Sequence, residues 1–125
     1  MKIALGQLKI CWEDKAANME KLKVCLKELP GVDLLLLPEM SLTGFSMNTE
    51  KTKELKKETV CQIRKLARQY DIAIGVGWVK DLGTTCENHY SIVSPEGELL
   101  DYAKLHPFSY GEESLHFTGG DTLPL

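Results

Sequence analysis

Three short segments of the sequence set ionisable side chains beside apolar runs. The first is Leu37-Pro38-Glu39-Met40-Ser41-Leu42-Thr43-Gly44-Phe45. It follows Leu34-Leu35-Leu36, so Glu39 stands where a buried strand gives out, and strand ends of α/β sheets are where sites collect. A carboxylate held there is partly desolvated, which suits a general base. Taken alone, a Pro-Glu pair is more often a solvated loop acid. The second segment is Tyr102-Ala103-Lys104-Leu105-His106-Pro107-Phe108. A lysine directly after a strand can donate to a developing oxyanion, although most strand-end lysines are plain surface charges. His106 reads as a structural histidine bonded to backbone. The third segment, Gly111-Glu112-Glu113-Ser114-Leu115-His116-Phe117, carries two adjacent acids, a pair that on a loop is usually just solvated.

Other chemistries find no support. No Gly-x-Ser-x-Gly nucleophile turn occurs. Gly75-Val76-Gly77 lies inside a strand pattern and lacks the third glycine of a dinucleotide fingerprint. The four cysteines, Cys11, Cys25, Cys61 and Cys86, form no Cys-x-x-Cys pair and no cluster at zinc spacing. Against 15 basic residues stand 18 acidic ones, a net charge of −3, with no clustered basic surface of the kind that nucleic acid requires. A small molecule or a protein is the expected partner. The longest apolar run, Leu34 to Leu37, is far too short to cross a bilayer, and no signal-peptide core follows Met1. Four free thiols then suit a reducing cytoplasm.

The elements that must position these segments follow from periodicity. At 125 residues the chain holds one domain at most, and 43% apolar with 26% charged residues is ordinary for a folded one. Residues 2–8 read as a strand. Asp14 can cap a helix whose stripe runs Met19, Leu22, Cys25, Leu26, Leu29 and which Pro30-Gly31 ends. The segment from Val32 to Leu37, apolar but for Asp33, predicts a buried strand. A second helix is predicted from about Glu50 to Tyr70, with Leu55, Thr59, Ile63, Leu66 or Ala67, and Tyr70 facing inward. Strands follow at Ile72–Val79, His89–Val93 and Glu98–Tyr102. Lys80-Asp81-Leu82-Gly83 reads as a turn, and Ser94-Pro95-Glu96-Gly97 closes a hairpin. The order β-α-β-α-β-β-β is an α/β pattern, and the chain becomes irregular after Lys104.

Together the segments carry a resemblance that none has alone. The opening Lys2-Ile3-Ala4-Leu5-Gly6-Gln7, the Leu34–Phe45 segment, the hairpin from Asn88 to Gly97 leading into Tyr102–Phe108, and Glu112–Phe117 with Gly119-Gly120-Asp121 resemble, in order, the N-terminal half of a nitrilase-superfamily carbon–nitrogen hydrolase. Pro107 stands where the family usually has leucine, which alters loop backbone but no charged group. The resemblance spans the whole chain and implies the N-terminal half of the family's four-layer αββα sandwich, residues 1–125 forming one portion of a single domain.

The resemblance further implies Glu39 as general base, Lys104 as the group that stabilises the tetrahedral intermediate, and Glu113 as the acid supporting that lysine, with Glu112 the alternative. It implies hydrolysis of a non-peptide C–N bond in a small-molecule amide. The omega-amidase-like branch is the nearest in pattern, and neither metal nor organic cofactor is needed. A homo-oligomer is expected, with no nucleic acid and no membrane among the partners. The family's nucleophilic cysteine falls beyond Leu125, and none of the four cysteines matches it. The chain alone is therefore expected to be inactive. The alternative is a non-catalytic α/β interaction module or a truncated pseudoenzyme. On the family reading Ile3, Leu5, Leu34 to Leu37, Ile72, Ile74 and Val76 pack against a second sheet.

Overall fold

The computed structural model describes residues 1–124. Strand β1 (Ile3–Leu5) leads to helix α1 (Lys15–Lys27), and β2 (Leu34–Leu36) follows. Asp14 caps α1 by accepting the Ala17 N–H at 3.0 Å. The region predicted as one helix from Glu50 to Tyr70 is split. Helix α2 (Thr49–Thr52) runs into β3 (Lys53–Glu54), and α3 (Glu58–Tyr70) starts anew. The break has a local cause. Glu54 turns inward, is 4% exposed, and accepts from the Thr59 N–H and from Lys15 Nζ, each at 2.8 Å. A carboxylate on the first turn of α3 satisfies an otherwise orphan donor. Lys57 just before it is left-handed, with φ 53°, and Leu55, predicted to face inward, is 74% exposed.

Strand β4 (Ala73–Asp81) continues through the predicted turn at Lys80-Asp81. Strand β5 (Cys86–Val93) then pairs with β6 (Glu98–Ala103), and after a 3₁₀ turn at Ser109–Gly111 come α4 (Glu113–His116) and β7 (Phe117–Thr118). The seven strands form one mixed sheet in the order β1-β2-β4-β5-β6, with β3 beside β4 and β7 beside β5. Both side pairings leave a gap. Along β4, β2 pairs with residues 73–75 and β3 with 79–80, which leaves residues 76–78 between them with Gly77 at the centre. Along β5, β6 pairs from His89 onward and β7 with Cys86 and Glu87, which leaves Asn88 between them. The backbone of Glu39 and Met40 passes over the first gap, and Asn88 stands in the second.

Helices α1 and α3 cover one face of the sheet. Met19, Leu22, Leu26, Val60, Ile63, Leu66 and Ala67 form a single cluster with Leu35, Leu37, Ile74, Val76, Trp78 and Val93. This corrects the expected second-sheet face: Leu35, Leu37, Ile72, Ile74 and Val76 lie under the helices, all at most 4% exposed. A strand alternates its sides, so Ile3, Leu5, Leu34 and Leu36, in register with one another, occupy the opposite face. Ile3 is 52% and Leu5 82% exposed. One helical layer and one sheet layer are thus present, with the sheet's other face open. Among the described residues no helix is long and apolar enough to cross a membrane.

Candidate active site

Glu39 is placed by backbone geometry. The turn Pro38–Met40 lies in the gap on β4, directly over Gly77. A Cβ built on Gly77 would stand 2.3 Å from the Met40 nitrogen and 2.9 Å from the Glu39 carbonyl carbon, so no larger residue fits. Ser41 Oγ accepts the Gly77 N–H at 3.0 Å and donates to the Pro38 carbonyl. Tyr90 donates its hydroxyl to the Leu37 carbonyl at 2.6 Å. From below, fully buried Asn18 of α1 donates to the Leu42 and Cys11 carbonyls at 2.7 Å each. Gly77→Ala should cost about 1–3 kcal/mol through overpacking and lift the turn. The check is thermal unfolding together with a structure of the variant; an undisturbed Glu39 and unchanged stability would refute this account.

Lys104 follows β6 directly. Its backbone is fixed on both sides, its N–H donating to the Asn88 carbonyl at 2.8 Å and its carbonyl accepting from Gly120 at 2.9 Å. Its ammonium lies 2.9 Å from Glu39 Oε1 and 3.0 Å from Glu113 Oε2. The structure therefore brings Glu39, Lys104 and Glu113 to one point. Of the two loop acids, Glu113 is the one in contact with Lys104 and is 0% exposed, while Glu112 is exposed. Glu113 is satisfied on every side, accepting the Phe108 N–H at 2.7 Å and the Asn88 amide at 3.3 Å besides Lys104. His106 lies exposed and takes no part. Two contacts escaped the sequence: Asn88, whose amide donates to Glu39 Oε1 at 2.6 Å, and Phe45, whose ring centroid is 5.5 Å from Lys104 Nζ. Asn88 stands in the hairpin segment, but no charge or motif marks it; Phe45 carries no signal beyond an aromatic on a loop.

The electrostatics follow from burial against contacts. Burial alone lifts the Glu113 carboxyl, and its hydrogen bonds from the Phe108 N–H, Lys104 and Asn88 more than offset this, so its pKa lies below the ordinary 4.5. Burial pulls the Lys104 ammonium down, but Glu39 and Glu113 outweigh it, and its pKa rises above 10.5. The lysine is held as a cation and Glu113 as an anion. The Glu39 side chain is 44% exposed, more open than the sequence suggested, and faces a cavity of about 560 Å³ that Asn88, Tyr90, Leu100, Tyr102 and Lys104 also line. None of the four cysteines lines that cavity. Cys61 is exposed on α3, Cys11 and Cys25 are half-buried, and Cys86 opens β5 with its thiol pushed up by burial.

An oriented carboxylate, a fixed ammonium and a supporting buried carboxylate at the strand ends of an α/β sheet are equipped for proton transfer next to oxyanion stabilisation. The chain belongs to the carbon-nitrogen hydrolase family, whose sequence profile matches residues 2–124. It is 29% identical over 120 residues to an omega-amidase, YafV, of Yersinia enterocolitica, covering 96% of this chain and 47% of that protein. It is 30% identical over 125 residues to an (R)-stereoselective amidase of a Pseudomonas species, covering 97% of this chain and 45% of that protein. A crystal structure of a CN-hydrolase superfamily protein from Xanthomonas campestris superposes with a TM-score of 0.86 at 31% identity, over 97% of this chain and 47% of that one. An amidase from a Nesterenkonia species shares the fold, with a TM-score of 0.83 at 20% identity over 100% of this chain and 50% of its own. The chain spans about half the length of the curated relatives it matches.

Proposed function

We propose that this chain supplies the base and the oxyanion-stabilising group of an enzyme that hydrolyses the C–N bond of a small-molecule amide. The observation that carries this is Lys104 Nζ held between Glu39 and Glu113 at 2.9 and 3.0 Å. Glu39, the more open carboxylate, takes a proton from an attacking thiol. The Lys104 ammonium meets the oxyanion as it forms. Glu39 returns that proton to the nitrogen as the C–N bond breaks and the thioester forms, ammonia or an amine leaves, and the carboxylate so regenerated activates water against the thioester. Glu113 stays ionised and keeps Lys104 charged and aimed. The thiol comes from outside residues 1–125, which form one portion of a single hydrolase domain. Similarity to omega-amidases favours a short omega-amide as substrate.

Ammonia release from a short omega-amide tests the reading. A polypeptide in which this sequence is continued by a cysteine-bearing half should release it, and Glu39→Gln should stop it. Residues 1–125 alone should stay at the buffer rate. Turnover by the chain alone that vanishes when Cys11, Cys25, Cys61 and Cys86 are all changed to Ala would place the nucleophile within it and overturn the assignment.

A further inference from the structure

Asn88 touches all three charged residues of the site. Its side-chain amide donates to Glu39 Oε1 at 2.6 Å and to Glu113 Oε1 at 3.3 Å, and its backbone carbonyl accepts the Lys104 N–H at 2.8 Å. The side chain is buried, at 4% exposure. Its place in the strand makes this possible. Asn88 occupies the gap on β5 between β6 and β7, so its carbonyl is free for Lys104 while its amide enters the site.

The charge balance shows what the amide is for. Two carboxylates share one ammonium, so each has oxygen lone pairs that Lys104 alone does not fill. A second lysine would neutralise the pair but would compete for the oxyanion. An asparagine amide offers two N–H donors and no charge, and here each carboxylate receives one. The other charged groups of β5 do not serve. Glu87 and His89 alternate to the opposite face, where His89 bonds Glu87 at 2.8 Å and Asp101 at 2.9 Å. Glu50, Lys53 and Asp81 gather around Cys86, two residues along.

We infer that Asn88 is a positioning residue that holds Glu39 and Glu113 in place on either side of Lys104. Its importance to catalysis rests on the hydrolase reading, but its action on the cluster does not. The test is a side-chain NMR titration of the chain and of two variants. In the unchanged chain the two Asn88 Nδ2 protons should be resolved and slow to exchange, and each should move with a different carboxylate. Asn88→Ala should raise the Glu113 pKa by about one unit, a tenfold gain in proton affinity. Asn88→Asp, nearly identical in shape, sets three carboxylates against one ammonium and should make the cluster bind an additional proton near neutral pH. A folded Asn88→Ala variant whose Glu113 and Lys104 titrations stay within about 0.2 units of the unchanged chain would overturn the inference. Should either variant fail to fold, the unchanged chain decides: Nδ2 protons that exchange freely and ignore both titrations overturn it equally. No substrate enters this measurement, so an absence of amide hydrolysis would sink the functional proposal and leave this one standing.

Discussion

Lys104→Met should lower the stability of the chain by about 3 kcal/mol at neutral pH, the cost of leaving a buried carboxylate without its cation. The figure is at the low end for a buried pair because the Lys104 side chain is 30% exposed while Glu113 is fully buried. The loss depends on pH in a defined direction. Glu113 has a lowered pKa, so its contribution is complete above 4.5 and fades as pH falls through the lowered value. Lys104 has a raised pKa, so its contribution is complete below 10.5 and fades as pH rises through the raised value. Across the interval between, the unchanged chain has the full contribution and the variant lacks it. Toward acid the two should converge, as Glu113 in the variant becomes neutral. Adding Glu113→Gln to Lys104→Met should recover most of the loss, with a coupling of about 1–3 kcal/mol in the double-mutant cycle. Denaturant unfolding at several pH values measures all of this. A single-variant cost below about 1 kcal/mol that is indifferent to pH would mean that solvent, not Lys104, compensates Glu113.

The second large effect is assembly. At micromolar concentration the chain should self-associate through the open face of its sheet, where Ile3 and Leu5 are 52% and 82% exposed beside Leu34 and Leu36. Each large aliphatic side chain left in water forgoes roughly 1.5–3 kcal/mol of burial, which matters against a total stability of about 5–15 kcal/mol. The helices cannot help, because they already cover the other face. Sedimentation equilibrium should give a mass above the 14.0 kDa of one chain, and a dye for apolar surface should bind. Leu5→Lys should weaken both signals and leave the core under the helices intact. A monomer that binds no dye and unfolds cooperatively would show that the sheet face is content in water. The same measurement bears on the non-catalytic module, which requires that face to seek a partner.

Much of this was legible in the sequence, for reasons that can be named. Asp14, Pro30-Gly31 and Ser94-Pro95-Glu96-Gly97 act through local backbone chemistry, so the helix and hairpin they bound appear where expected. Glu39, Lys104 and Glu113 are singled out by the family resemblance of the segments that hold them, with Glu112 left open beside Glu113; taken alone, each reads as an ordinary solvated charge. What stayed hidden depends on tertiary contact. The run Leu34 to Leu37 is apolar on both sides, so nothing in it tells which leucines meet the helices. Glu54 looks like any helix-surface acid until Thr59 and Lys15 are seen around it. Asn88 opens a segment that resembles the family, but nothing marks it as a partner of Glu39 and Glu113, because that contact comes from a gap left by two strands that pair elsewhere.

That the site is closed by residues distant in sequence also sets when it can form. Glu39 and Lys104 are 65 residues apart, and the parallel pairing of β1, β2 and β4 depends on crossovers through α1 and α3. Contacts of such separation are made late, after loop-closure entropy has been met by the rest of the sheet. The Glu113 carboxylate loses its water only when Phe108, Asn88 and Lys104 converge. In a refolding experiment the proton release or uptake of this cluster should therefore trail the far-ultraviolet signal of the helices, which makes its titration a clock for the last step of folding.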